Sequence, residues 1–271
     1  MHDICSSAMR VGGNDHLVEY NEIYNAVTES DDQGGVDMFG NPTFRGNVLR
    51  GPQLGLQPEP RANSTAQSPH GPRVGHPADL AVYRYNYLHH IGNWRGNGEQ
   101  PKCGQAGIRL DDAICGTRIY GNIFERCSAG KLGFGGVQIH GGKDNVVENN
   151  LFIECSAMVS CSPWDEKRWR EYVGKALDSR EIDRALYVQR YPELADLAEH
   201  ANRNYILRNM GWRCGELLRR APPNLDVKDN TMLGNKEFTW QLKSFRLNRP
   251  GFDPIPFEEI GLYRDNPFRP L

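Results

Sequence analysis

The sequence predicts an all-β solenoid, a stack of short parallel strands repeated coil on coil. The first observation behind this is a pair of segments that overlay residue for residue, TRIYGNIFERC (Thr117 to Cys127) and NVVENNLFIEC (Asn145 to Cys155), at an offset of 28 residues. Repeats of that length mark units that bury their apolar faces only by stacking on one another. The second is short period-two alternation before the copies, in AMRV (Ala8 to Val11), GVDM (Gly35 to Met38), GIRL (Gly107 to Leu110) and GVQI (Gly136 to Ile139). Such alternation gives strands one buried face. The third is the Gly and Asn punctuation of every unit, which helical repeats do not tolerate.

Each element follows from these patterns. HLVEYNEIYNA (His16 to Ala26) has the same Asn spacing as the first pair. Asn21, Asn122 and Asn150 are therefore expected in turns, stacked as a ladder that satisfies neighbouring amides and the bending backbone. Cys127 and Cys155 fall at equivalent positions and read as small inward-facing core residues. Residues 51–84 are rich in Pro, Gly, Gln and Arg. Joining Asn47–Arg50 to Tyr85–Ile91 restores a coil with Asn86 on the ladder, so the segment reads as an insertion, a disordered extrusion or a retained non-coding segment in preference to a binding loop. Residues 164–204 carry helical spacing and good helix formers, which predicts two or three short helices beside the stack. Tyr205 to Met210 and Leu225 to Leu233 read as weaker, later coils, and 234–271 as a tail returning along the surface.

The chain of 271 residues is 38% hydrophobic with a net charge of −2. That is enough apolar material for one solenoid domain over 1–271, without the basic surplus expected of a nucleic-acid binder. No apolar run is long enough for membrane insertion and no signal peptide opens the sequence. Met1 enters a coil almost directly, whereas a solenoid end needs a polar cap, so the reading is of an N-terminally truncated chain. Seven cysteines without regular spacing support neither a disulfide framework nor a zinc site.

Further segments sharpen the comparison: ESDDQGGVDMFGNPTFRGN (Glu29 to Asn47), GQAGIRLDDAICG (Gly104 to Gly116), GGVQIHGGKDN (Gly135 to Asn145), RYPEL (Arg190 to Leu194) and GFDPIPFEEIGLY (Gly251 to Tyr263). On these the chain resembles right-handed parallel β-helix proteins of the pectin-lyase-like superfamily, in particular carbohydrate-active members with Asn-rich coils. The resemblance implies a polysaccharide or oligosaccharide substrate and an extracellular or periplasmic location. It does not choose among glycoside hydrolase, polysaccharide lyase and non-catalytic binding solenoid.

The chemistry is sought among outward strand residues. If Val36, Ile108 and Val137 point inward, one outward column reads Arg10, Asp37, Arg109, Gln138 and the next reads Gly12, Phe39, Asp111, His140. Hydrolysis of a glycosidic bond needs two carboxyl groups, one as proton donor and one as nucleophile or base. Asp37 and Asp111 are the first choices. Flanking arginines are expected to keep Asp37 ionised, leaving Asp111 as proton donor. His140 is placed to tune Asp111 or hold a hydroxyl, and Asp31, Asp32 and Asp112 are rivals beside the same face. Arg10, Arg109 and Lys143 are candidate substrate-binding residues, with Lys143 and Asp144 on the following turn. Trp94, Trp164 and Trp169 are candidate sugar platforms, although packing is the preferred role for Trp169 and Trp212. Arg109 and Lys143 are the candidate bases of the lyase alternative. No resident cofactor is expected; calcium on Asp111 and Asp112 is the one cation considered, and no loop has the spacing of a known calcium motif.

Overall fold

The computed structural model describes residues 1–13, 16–40, 42, 81–92, 104–128, 133–178, 183–234 and 250–261. Its strands form three sheets, and within each sheet every strand pairs in parallel with the strand three places away in the sequence. Sheet A contains β1 (His2–Ile4), β4 (Glu22–Ala26), β7 (Tyr87–Ile91), β10 (Ile123–Cys127), β13 (Leu151–Ile153), β16 (Met210–Trp212) and β19 (Thr231–Leu233). Sheet B contains β2 (Met9–Arg10), β5 (Gln33–Phe39), β8 (Gln105–Asp111), β11 (Gly135–His140), β14 (Val159–Ser162) and β17 (Leu218–Arg219). Sheet C contains β3 (Leu17–Glu19), β6 (Ala81–Arg84), β9 (Thr117–Tyr120), β12 (Val146–Glu148), β15 (Tyr205–Leu207) and β18 (Asp226–Lys228). One strand from each sheet per turn of chain is the arrangement of a mostly β stack, compatible with a parallel β-helix.

The core is a set of columns. Met9, Val36, Ile108, Val137, Val159 and Leu218 lie side by side across sheet B. In sheet A, Phe124 pairs with Phe152, and their rings stack at 4.8 Å. Cys127 pairs with Ile91, and both Cys127 and Cys155 are buried in the same apolar cluster as free thiols. Burial pushes the Cys155 thiol well up.

The turns from sheet C to sheet A hold the polar counterpart. Asn21, Asn86, Asn122, Asn150, Asn209 and Asn230 form one ladder, each side-chain amide donating to the carbonyl oxygen of the next at 2.9 to 3.0 Å. The same oxygens accept backbone N–H groups, and the amides also donate to backbone carbonyls such as Tyr83 O and Ile119 O. A second, shorter ladder joins Asn145 to Asn204 between sheets B and C. The residue before each member of the long ladder (Tyr20, Tyr85, Gly121, Asn149, Arg208 and Asp229) has positive φ. The sharp corner requires the left-handed region, and the hydrogen bonds around the asparagines hold the non-glycine residues there.

Two expectations change. Ala81–Arg84, assigned to the insertion, form β6 and pair with both β3 and β9. This strand position is thus filled by AVYR, where the joined sequence put Asn47–Arg50; residues 43–80 lie outside the described ones. The tail is also more than a returning strand of chain: Phe252, Ile255 and Ile260 are buried against Ile123, Leu151, Ile153, Met210 and Trp212 on the outer side of sheet A. Trp212 thus packs, as expected.

Between β14 and β15 the chain forms α1 (Glu166–Leu177), α2 (Arg184–Arg190) and a 3-10 helix at Pro192–Asp196. Asp165 caps α1 by accepting the Arg168 backbone N–H at 2.8 Å. Trp169, Val173 and Leu177, at helical spacing, form its buried stripe with Leu194, Leu197 and Ala113. Among the described residues no helix is long and apolar enough to cross a membrane.

Candidate functional site

Sheet B carries polar residues on its outer side where sheet A carries apolar ones. Pairing aligns Arg10 with Asp37, Asp37 with Arg109 and Arg109 with Gln138, the outward column expected from the alternation. In the neighbouring column Phe39 pairs with Asp111.

Arg109 is buried at the centre. Its Nε donates to Gln138 Oε1 at 2.9 Å, and its Nη2 donates to Asp32 Oδ1 at 2.8 Å and lies 2.9 Å from Asp111 Oδ1. Its Nη1 donates to the Asp32 carbonyl. Asp111 Oδ1 also accepts from His140 Nδ1 at 2.7 Å, and Asp112 Oδ1 lies 3.4 Å from the same nitrogen. Asp111 is therefore clamped between a guanidinium and an imidazole.

Asp37 differs. It is 6% exposed, and its Oδ1 is buried without a hydrogen-bond partner among the described residues. Arg10 comes no nearer than 3.9 Å and is itself mostly exposed. Burial outweighs the attraction of Arg109, Asp111 adds repulsion, and the carboxyl is pushed up to about 6. This reverses the expected assignment. The arginines beside Asp37 do not offset its burial, because Arg109 spends its donors elsewhere and Arg10 is screened by water.

Helix α1 supplies a wall that the sequence did not show. Tyr172 donates its hydroxyl to Gly40 O at 3.2 Å, at the end of β5. Burial and the charges of Asp112 and Asp111 hold that phenol above its ordinary range. Spacing alone marks Tyr172 as a helix residue, and nothing in the repeat says which coil the helix meets.

Three expected binding residues are otherwise engaged. Lys143 is fully buried and donates to Asp196 O at 2.8 Å and Glu199 O at 2.9 Å, with Asp196 and Asp144 carboxylates at 3.4 and 3.7 Å. It fastens the 3-10 segment and is out of reach of a substrate. Asp144 beside it is held by Arg203 Nε at 2.7 Å. Trp164 is 4% exposed, with the Arg168 guanidinium 3.7 Å above its ring. The Gly141 backbone packs so close that a Cβ there would meet the Trp164 ring at 2.9 Å. No ring face is open for a sugar. Trp169 is buried, donating to Leu197 O at 3.0 Å, which is the packing role. Trp94 lies outside the described residues.

Compared with known proteins, the chain matches no family model, no curated protein and no solved structure at a significant level. Its reading therefore stands on its own geometry.

That geometry brings together Asp37, Asp111, Asp112, Asp32, His140, Arg109 and Arg10, with Trp164 packed edge-on behind His140 at 5.7 Å, and turns Lys143 toward the 3-10 segment. Asp111, Asp112 and His140 offer one ligand atom each, all within 4.8 Å of one another, a set that could hold a cation. The same three groups are already joined through the 2.7 Å contact of His140 Nδ1 with Asp111 Oδ1. With Lys143 buried and Arg109 committed to Asp32, Asp111 and Gln138, the two bases of the lyase alternative are both occupied. The remaining chemical asymmetry lies between two buried carboxyl groups, one with raised proton affinity and one paired with Arg109 and His140.

Proposed function

We propose that the chain is a carbohydrate-active right-handed parallel β-helix protein of the pectin-lyase-like kind, acting outside the cytoplasm as a glycoside hydrolase. Asp37 is the proton donor and Asp111 the nucleophile or base. The observation that carries this is the difference between two carboxyl groups on one sheet face: Asp37 is pushed up to about 6 by burial, while Asp111 accepts from Arg109 and His140. A carboxyl of raised proton affinity beside a second carboxyl is what acid–base division of labour needs. The mechanism requires the carboxyl groups to lie about 5–10 Å apart, with the exact separation selecting retention or inversion.

In this reading Asp37 protonates the leaving oxygen while Asp111 attacks the anomeric carbon or takes a proton from water. Arg109 and His140 orient Asp111, and Arg10 and Asp32 contact the sugar at the rim. The test is release of reducing ends from neutral oligosaccharides. Asp37→Asn and Asp111→Asn each lower it at least about a hundredfold while the protein stays folded. Activity should also fall as pH rises through about 6, where Asp37 loses its proton. Full activity in both variants overturns the assignment, and an unsaturated, ultraviolet-absorbing product replaces hydrolysis with elimination.

A further inference from the structure

The most exposed large hydrophobic side chain among the described residues is Phe39, 68% accessible. Single exposed apolar residues are ordinary, so exposure alone carries no meaning; its position does. Phe39 stands on the same outward face of β5 as Asp37, two residues and about 6.7 Å along the strand, and pairs directly with Asp111. The backbone beneath it is pinned from two sides. Gly40 N–H donates to Asp111 O at 3.0 Å, and Gly40 O accepts the Tyr172 hydroxyl at 3.2 Å. A rigidly mounted aromatic ring therefore faces water beside the two carboxyl groups, where a polar side chain would be hydrated at no cost.

We propose that Phe39 is the platform on which a neutral pyranoside stacks, setting the orientation in which its glycosidic bond meets Asp37 and Asp111. The inference rests on the glycan reading of this site and names its substrate class. A pyranose with equatorial substituents has a C–H face that buries against an aromatic ring, while its hydroxyls reach acceptors at the edge. Here those acceptors are the partly exposed carboxylates of Asp32 and Asp112. A uronate is disfavoured: Arg109 commits most of its N–H donors to Asp32, Asp111 and Gln138, leaving no bidentate fork for a sugar carboxylate. The carboxylates of Asp32 and Asp112 at the edge would repel it.

The test uses the full chain carrying Asp37→Asn, which binds without turnover, and titrates cellohexaose, xylohexaose, mannohexaose and hexagalacturonate by calorimetry. At least one neutral hexaose should bind more tightly than hexagalacturonate. Adding Phe39→Ala should weaken that binding at least about tenfold, and Phe39→Trp should keep it within about threefold. Both leave the unfolding midpoint nearly unchanged, because the ring is exposed. The proposal is overturned if Phe39→Ala binds as tightly as its parent, if hexagalacturonate is preferred, or if no neutral hexaose binds. Reducing-end release by the unmutated chain decides hydrolysis separately. Phe39-dependent binding without turnover keeps the platform and removes the hydrolase, whereas turnover indifferent to Phe39 does the reverse.

Discussion

The asparagine ladder and the outer face of sheet B are both columns of polar side chains, one per coil, stacked along the same axis. In the ladder every member is the same residue, so each amide finds in its neighbour the partner it offers to the next, and buried Asn122 and Asn150 are satisfied on all sides. On sheet B the column changes chemistry at every step, and the bonds do not close: Arg109 and Asp111 are crowded with partners while Asp37 Oδ1 has none among the described residues. Uniform columns convert repetition into stability. Mixed columns leave a residue of unsatisfied electrostatics, and there reactivity can reside.

The contrast can be broken first at the ladder. Asn122→Leu removes bonds to Asn86, Tyr83, Tyr120 and Asn150 and leaves buried backbone groups unpaired. Unfolding in urea should show a loss of about 3 to 5 kcal/mol; a loss below about 1 kcal/mol would mean that the stacked apolar columns carry the fold alone.

The next effect has the opposite sign. Asp37 binds its proton more tightly folded than unfolded, since its folded value is about 6 against 3.8. Its contribution is therefore favourable below about pH 4, declines as pH rises from there, and is a full penalty above about pH 6. Asp37→Asn should stabilise the protein by up to about 3 kcal/mol at pH 8 and hardly at all at pH 4, as read by paired denaturation curves. A flat difference across that window would show that Asp37 is hydrated and unperturbed.

A smaller loss, about 2 kcal/mol, is expected for Lys143→Met, which keeps the buried stem and removes the bonds to Asp196 and Glu199. Activity should follow stability. Abolished turnover in a fully stable Lys143→Met protein would instead make Lys143 a base and revive elimination. Asp112→Asn should be the mildest change. It lies 3.4 Å from His140 and is partly exposed, so a loss under about 1 kcal/mol and activity within about tenfold of the parent are expected.

Period and alternation made the strands, the Asn21, Asn86, Asn122 and Asn150 rungs of the long ladder and the Arg10, Asp37, Arg109 column legible in the sequence, because each depends on what lies one coil away; Asn209 and Asn230 were missed. The second ladder was hidden: Asn145 and Asn204 are 59 residues apart, with the helices between them. The roles of Lys143 and Trp164 were misjudged for the same reason, since the segments that bury them return from outside the repeat. The raised proton affinity of Asp37 escaped because neighbours along a column can be counted in a sequence, but depth beneath a surface cannot. Tyr172 needed the docking of α1, which no periodicity encodes.

Strand β6 joins β3 in register although the residues between β3 and β6 include a long stretch outside the described ones, and β15 joins β12 across the whole helical segment. Register here is inherited from the layer below, as a new row of a crystal is laid on the one already grown. Whatever path the chain takes between rows, it rejoins at a lattice position fixed in advance. Such a molecule can acquire embellishments at its corners, α1 and its tyrosine among them, without renegotiating the placement of a single strand.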